Sequence, residues 1–299
     1  MTSSGSPQEG VDRRPERCCE ICGCPSVEQI VASGSQLLRC PDCGHIIRDL
    51  KLCPAGVREK VYGGSEQFDR FRLFFTRRRL HKLLQGLPAG RTLDVLEVGF
   101  GNGQLLKFLQ DRGHRIHGVE VCRTRSPGID QLVSSGARLF FEGLDQAELP
   151  VETLDLVYMI HVAEHLADPL ASFRKLASAC KKGAHLYLVT PNGRSSGLKV
   201  FGDRWWHLED PTHGRFFTPR SMTACLREAG FDLLDVRAPL LDSLTLEINS
   251  LMRLFYRRGA VMDHLLVRLL DVALLPLTLL IRLIWPGIRP NMEVVARKE

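Results

Sequence analysis

Three glycines at alternating positions, Gly99, Gly101 and Gly103, close an apolar run that begins at Leu93. Such a loop suits a nucleotide-like ligand, because positive φ and a missing Cβ let backbone N–H groups come close to it. The helix predicted to follow, from about Gln104 to Asp111, begins with unpaired N–H groups. Glu97 stands two residues ahead of the first glycine. About 20 residues on, His117-Gly118-Val119-Glu120 reads as a second short strand ending in a carboxylate, where a doubly wound sheet places its ribose-hydroxyl acceptor. The glycines alone would also fit a plain strand-to-helix turn; the carboxylate after the next strand favours the ligand. The spacing Gly-x-Gly-x-Gly differs from the Gly-x-Gly-x-x-Gly of dinucleotide binding.

A second group of residues could hold a metal. Six of the ten cysteines lie between residues 18 and 43, and Cys19-x-x-Cys22 is separated from Cys40-x-x-Cys43 by 17 residues. This is the spacing of a four-thiolate zinc site, each pair sitting in a turn closed by a glycine, Gly23 or Gly44. A reducing compartment disfavours disulfides, and a segment of about 40 residues needs some other staple to fold. Zn2+ held by Cys19, Cys22, Cys40 and Cys43 is therefore expected, in a structural role, since four thiolates leave no open position. Cys18, Cys24 and His45 are close enough to compete as ligands. Cys53, Cys122, Cys180 and Cys225 read as small apolar residues.

The glycine loop with Glu97 resembles motif I of the class I S-adenosylmethionine (SAM) methyltransferases, and the resemblance continues in order along the chain. Leu154 to Ile160, followed by His161-Val162-Ala163-Glu164-His165 and Asp168-Pro169, is similar to the family's fourth strand and the turn after it. His185 to Asn192 is similar to its fifth strand, ending in Thr190-Pro191-Asn192. The likeness, to a ubiquinone/menaquinone-type methyl-transfer core, covers roughly residues 91–238 and the last eight. One departure is Lys181-Lys182-Gly183-Ala184, where the family usually has Pro-Gly-Gly. The resemblance implies SAM as cofactor, with Glu97, Gly99, Gly101, Asn102 and Gly103 near its methionine end, Glu120 at the ribose, Asp145 near the adenine, and His161 beside the methyl group. Ribbon-plus-SAM chains of this kind look like a bacterial subfamily found near sugar, lipid or natural-product pathways.

Methyl transfer from a sulfonium needs alignment and an acceptor freed of its proton, which a histidine titrating near neutral pH can supply. His161 is the leading base, with His165 behind it. His207 and His213 follow, in the aromatic stretch Trp205 to Phe217, which the resemblance places over the acceptor pocket. His161, Glu164 and His165 also have ligand chemistry at i, i+3 and i+4. Ubiquinone-type O-methyltransferases resemble this with Glu-x-x-Glu-His, but here the first glutamate is His161, so a divalent metal at the active site ranks well behind.

These residues need a scaffold, and the chain has the length for it. Its 299 residues with a net charge of +6 suggest about two domains. No arginine-rich tail argues for nucleic acid. The cluster Arg70, Arg72, Arg77, Arg78, Arg79, His81, Lys82 reads as the wet face of a helix backed by Phe68, Phe71, Phe74 and Phe75. The predicted fold is α/β: a Rossmann-like seven-stranded SAM methyltransferase sheet with an N-terminal four-Cys zinc ribbon and a C-terminal apolar helical insertion. Residues 1–17 form a polar, disordered tail without a signal peptide's apolar core. Residues 18–55 form the ribbon, 56–90 a helical cap or linker, 91–240 the core, 241–291 the insertion, and 292–299 the last strand.

Between the sixth strand, Phe231 to Val236, and the seventh, Met292 to Ala296, some 55 residues intervene. Leu265 to Trp285 is almost wholly aliphatic, yet its longest charge-free run, Val272 to Ile281, is too short to span a membrane. His264, Arg268, Asp271, Thr278 and Arg282 would share one narrow helical stripe, and Pro276 should kink or split the helix. A membrane interface contacted through 265–285 is the favoured reading, with Arg268 and Arg282 near anionic lipid; internal packing is its rival. The expectation is a cytoplasmic enzyme, peripheral at the inner membrane, that methylates an oxygen of a lipid-linked, glycan or quinone-like acceptor. The alternatives are C-methylation of a nucleotide-linked deoxysugar and a catalytically silent SAM-fold scaffold.

Overall fold

A computed structural model describes residues 18–31, 36–48, 66–85, 91–122, 127–255 and 265–299. The predicted tail, Cys53, Tyr62 and His264 lie outside them. In chain order the strands are β1 (Glu28–Val31), β2 (Leu37–Arg39), β3 (Ile46–Arg48), β4 (Asp94–Val98), β5 (Arg115–Val119), β6 (Arg138–Phe140), β7 (Leu154–Ile160), β8 (Cys180–Pro191), β9 (Arg215–Phe216), β10 (Phe231–Arg237) and β11 (Asn291–Lys298). The helices are α1 (Glu66–Gln85), α2 (Gln104–Gln110), α3 (Pro127–Ser134), α4 (Pro169–Ala179), α5 (Gly197–Phe201), α6 (Pro219–Glu228), α7 (Leu246–Met252), α8 (Leu265–Ala273) and α9 (Leu275–Ile284).

Among the described residues the main sheet has seven strands in the order β10-β11-β8-β7-β4-β5-β6. Strands β8, β7, β4, β5 and β6 are parallel, while β11 runs antiparallel to both β8 and β10. Every residue of β4 is buried, as a strand covered by helices on both faces must be. One apolar layer packs Leu96, Val157 and Leu186 against Phe173 and Met222; the other packs Val95, Ile116 and Leu156 against Leu106 and Leu80. The helices start where their sequence says they should. Asp168 caps α4 by accepting from Ala171 N at 2.9 Å, ahead of Pro169, and Thr218 makes a capping box with Ser221 ahead of Pro219.

The departure at Lys181 has a structural use. Its Nζ lies 2.9 Å from Asp155 and 3.5 Å from Asp94, at the end of the sheet away from the glycines. The basic face of α1 is only partly wet: Arg79 pairs with the buried Glu293 of β11, and Arg77 stacks 5.3 Å from the Phe108 ring. Among the described side chains of this helix Leu80 is buried, whereas Phe74 is exposed. The described phenylalanines are thus not the uniform buried backing that the sequence suggested.

The ribbon is joined to the core rather than tethered beside it. Strands β1, β2 and β3 form a sheet that β9 completes, with Ile46 opposite Phe216 and Ile47 opposite Arg215. The buried Arg48 donates to the carbonyls of Leu208 and Asp210, each at 3.0 Å. Arg215 donates to both carboxylate oxygens of Glu20, at 2.7 and 2.8 Å, and Thr218 Oγ1 donates to the Cys43 carbonyl at 2.7 Å. The front segment therefore grips both ends of the loop that carries His207 and His213.

The apolar insertion is divided: Pro276 stands in the first turn of α9, and Leu274 ends α8. The part of its polar stripe that can be described, Asp271, Thr278 and Arg282, faces inward. Thr278 and Arg282 are buried, and Asp271 is half-buried. Arg282 makes a two-pronged pair with Glu247 at 2.7 Å on each side, and donates to the carbonyls of Leu240, Asp242 and Ser243. The expectation that Arg282 sits near lipid headgroups is therefore corrected, because its guanidinium is spent on the loop after β10. No helix among the described residues is long and apolar enough to cross a membrane.

Candidate active site

The carboxyl ends of β4, β5, β7 and β8 meet where strand order reverses, the place at which an open α/β sheet forms a crevice. A cavity of ≈ 940 Å³ lies there, at the upper end of ordinary ligand sites and large enough for a cofactor with a second substrate. Of the residues predicted near the cofactor, Glu97, Gly99, Gly101, Asn102, Glu120, Asp145 and His161 line it, whereas Gly103 does not.

The glycine loop is organised from both sides. Gly101 N donates to Glu120 Oε2 at 2.8 Å, and Cys122 N donates to Glu120 Oε1 at 3.0 Å. Glu120 thus holds the loop by its backbone while its remaining lone pairs face the cavity. At two of the glycines the need for a missing Cβ comes from the protein itself. A Cβ on Gly99, at φ +77°, would lie 2.4 Å from Val162 Cγ2, and one on Gly103, at φ +73°, would lie 2.6 Å from Leu132 Cδ1. Close approach to a ligand is left as the reading for Gly101, at φ 52°. Glu97 is buried and accepts from Tyr158 Oη at 2.8 Å, burial and that carboxylate together raising the phenol well above its usual range. Sequence reading passed over Tyr158, although its place opposite Glu97 in the parallel β4–β7 register was the available signal.

Four histidines converge on the other half of the cavity. His161 follows β7 in the left-handed region, φ 56°, a conformation rare without glycine, which points its ring back over the strand ends. Its Nδ1 lies 3.5 Å from Glu164 and its Nε2 3.6 Å from Asp242. Burial would lower its pKa, but the neighbouring carboxylates of Asp242 and Glu164 outweigh burial and raise it to about 9. At neutral pH His161 is then an imidazolium, which cannot accept a proton.

His213 is placed differently. Its Nδ1 sits 2.7 Å from the His207 carbonyl, which can only accept, so the ring hydrogen is on Nδ1 and Nε2 keeps its lone pair. Burial dominates here and holds His213 down to about 4, so it is neutral over the physiological range. His165 Nδ1 lies 3.0 Å from both the carbonyl and the hydroxyl of Thr212 and stacks 4.8 Å from the His213 ring. His207 is buried, and that burial holds it well below its usual range. Glu164 is fully buried. Burial alone would raise its carboxyl, but His161, His165 and His213 together hold it below the usual carboxylate range. Thr190 Oγ1 donates to Glu164 Oε2 at 2.9 Å, which gives the Thr190-Pro191-Asn192 turn a role in the site.

Two side-chain sets could hold a metal among the described residues. The thiols of Cys19, Cys22, Cys40 and Cys43 come together, with Cys19 and Cys43 Sγ 3.6 Å apart and Cys22 and Cys40 Sγ 3.5 Å apart. Tetrahedral zinc with Zn–S bonds of about 2.3 Å would space its sulfurs by about 3.8 Å, so the donor set fits. Cys24 instead donates to the Ser26 carbonyl, and His45 Nε2 faces Glu20 at 2.9 Å. The second set is Glu164, His165 and His213, whose ligand atoms lie within 4.8 Å of one another. It keeps two of the residues in the predicted trio but exchanges His161 for His213, from a loop no sequence spacing could connect. Asp242 was likewise missed: it arrives from the loop after β10, held by Asn291 and by the backbone contacts of Arg282.

Comparison with known proteins agrees with this geometry. A family described as "Methyltransferase domain" matches residues 68–236. A ubiquinone biosynthesis O-methyltransferase of Hahella chejuensis is 31% identical over 186 residues, covering 56% of this chain and 76% of the relative. One from Cupriavidus pinatubonensis is 26% identical, covering 53% and 68%. A putative sarcosine dimethylglycine methyltransferase from Galdieria sulphuraria superposes with a TM-score of 0.54 at 15% identity, covering 82% of this chain and 94% of that one. The [4+2]-cyclase SpnF superposes at 0.51 with 18% identity, covering 82% and 88%. Structural likeness at such identities speaks for the fold alone, and a cyclase among the neighbours shows that this fold hosts more than one chemistry.

Proposed function

This chain belongs to the methyltransferase-domain family and is a class I SAM-dependent methyltransferase, and we propose that it methylates an oxygen of a quinone-like or lipid-linked acceptor, with His213 taking the acceptor's proton. The observation that carries this reading is the pairing, in one cavity, of the Glu120-bound glycine loop with a histidine whose ring hydrogen is on Nδ1, leaving the Nε2 lone pair 3.8 Å from both Glu164 and Asp210. The residues present fit SAM: a carboxylate with free lone pairs at the end of β5, loop N–H groups, and Glu97 fixed by Tyr158. Bound there, SAM would supply an electrophilic methyl group on a sulfonium. The protein's own part is to align the acceptor oxygen, exclude water, and move one proton from it to His213 Nε2.

The positive charge of His161, locked between Glu164 and Asp242, suits orientation of an oxygen rather than removal of its proton. Leu241, Leu244, Leu246 and Trp206 line the acceptor side, which supports an apolar ring or chain over a nucleotide-linked sugar. The relatives named for ubiquinone biosynthesis support the same choice. We also propose that Cys19, Cys22, Cys40 and Cys43 bind one structural zinc.

Calorimetry with SAM followed by methyl-transfer assays on catechol-type quinol precursors and on nucleotide-linked deoxysugars tests the reading. Oxygen methylation of the former is expected. His213→Asn should lower kcat by on the order of 10²–10⁴ with SAM affinity unchanged. Transfer to sugar carbon would replace the acceptor, and SAM binding with no transfer to any acceptor would favour the silent scaffold.

A further inference from the structure

The outer face of the insertion inverts the usual order of a surface helix. From residue 269 to residue 287, the exposed side chains are apolar and the polar ones are turned inward. Val272 and Ile284 are 74% and 76% exposed, with Leu269, Leu280, Leu283 and Trp285 beside them, while Thr278 and Arg282 are buried. At Asp271 burial pushes the carboxyl up to about 7, and the side chain is half-buried rather than presented to solvent. The C-terminal end of α7 extends the patch with Leu254 and with Phe255, 74% exposed. Soluble monomers seldom present contiguous apolar surface beyond a few hundred Å².

The patch is held in a fixed attitude. Leu270 and Leu274 pack on Ile248 and Met252 of α7, whose other side lines the cavity through Leu246 and Asn249. Arg282 anchors α9 from within. At the far end, Ser196 N donates to the Gly287 carbonyl at 2.8 Å, seating the segment around α5 beside Trp285. That segment exposes three cations, Arg194, Lys199 and Arg204, against a single half-buried acid, Asp203.

We propose that α8 and α9 lie in the interface of a bilayer containing anionic lipid, their aliphatic face at the headgroup–acyl boundary, Trp285 at headgroup level, and Arg194, Lys199 and Arg204 against lipid phosphates. Helices of nine and ten residues are too short to span but suit lying in the plane. Tryptophan is favoured where one side is greasy and the other wet. A second copy of this chain fits less well, because protein interfaces carry about one hydrogen bond per 100–200 Å² and this face offers only the Trp285 indole as a side-chain hydrogen-bonding group. The proposal does not depend on the acceptor.

The test uses the full chain and sucrose-loaded vesicles of phosphatidylcholine with phosphatidylglycerol, at about 3:1, beside vesicles of phosphatidylcholine alone. The protein should pellet with the anionic vesicles, less with the neutral ones, and be released as salt rises. Leu280→Ser with Ile284→Ser, both exposed positions, should lower partitioning by at least about tenfold while the urea midpoint stays put. Lys199→Glu with Arg204→Glu should remove the preference for anionic lipid only. Brominated acyl chains should quench a fluorescence component that Trp285→Phe deletes, a readout that needs no apolar-to-polar change. Protein that stays in the supernatant with both vesicles overturns the proposal, as does undiminished binding by the Leu280/Ile284 variant. So does a dimer in sedimentation velocity that this variant turns into monomer, which would assign the face to a second copy.

Discussion

At the scale of single residues, the site is set by which histidines are charged. His161, His165 and His213 surround one buried carboxylate, Glu164, but each receives different company. Each has a second acid, Asp242 at 3.6 Å for His161 and Asp210 at 3.8 Å for His213, but His213 spends its only ring hydrogen on a carbonyl. Because His161 rises from its ordinary 6.5 to about 9 in the folded state, folding takes up protons between those values. The stability it contributes is fully present below about 6.5 and is lost as pH climbs through about 9. Urea midpoints measured from pH 6 to pH 10 should fall across that window, and His161→Gln should flatten the fall. A variant with the same slope as the parent would mean that another group titrates there.

At the scale of elements, the insertion between β10 and β11 is a clamp as well as a surface. The Arg282–Glu247 pair links α9 to α7, and the same guanidinium fixes the carbonyls of the loop that carries Asp242. Arg282→Leu would leave the half-buried Glu247 without its cation, which costs up to about 3–5 kcal/mol, whereas replacing both partners by leucine should recover much of that. Chemical denaturation of the two single variants and the double variant measures the coupling. The Arg282→Leu variant should also bring the titration of His161 down, as Asp242 loses its support. An unchanged titration would show that Asp242 keeps its place without Arg282.

For the whole molecule, the four-cysteine segment and the loop bearing His207 and His213 form one unit. Strand β9 is at once the fourth strand of the ribbon's sheet and the exit from the loop bearing His207 and His213. Purified protein should carry one zinc per chain, and chelation should collapse methyl transfer through loss of that loop. SAM affinity should change little, since the glycine loop and Glu120 are bound to the main sheet. Metal analysis, calorimetry and a transfer assay on the same chelated sample separate the two halves. Retained transfer without zinc would show that Arg48 and Arg215 hold the loop unaided.

What the chain alone determined is everything that local chemistry repeats in order. The strand periods, the glycine loop, the Asp168-Pro169 and Thr218-Pro219 helix starts, the paired cysteines and the split at Pro276 are all encoded within a few residues of themselves. Glu120 was legible because a parallel sheet puts carboxylates at strand ends by rule. Charge states and partners were not legible, since they depend on groups far apart in sequence. Only tertiary structure set Asp242 against His161, turned the polar stripe of α9 inward onto Glu247, and joined β9 to the ribbon. It also set His161 between two carboxylates and turned His213 Nδ1 onto the His207 carbonyl. The physical reason is that burial and nearby charge shift a histidine by several units, and both are supplied by whichever segments the fold brings together.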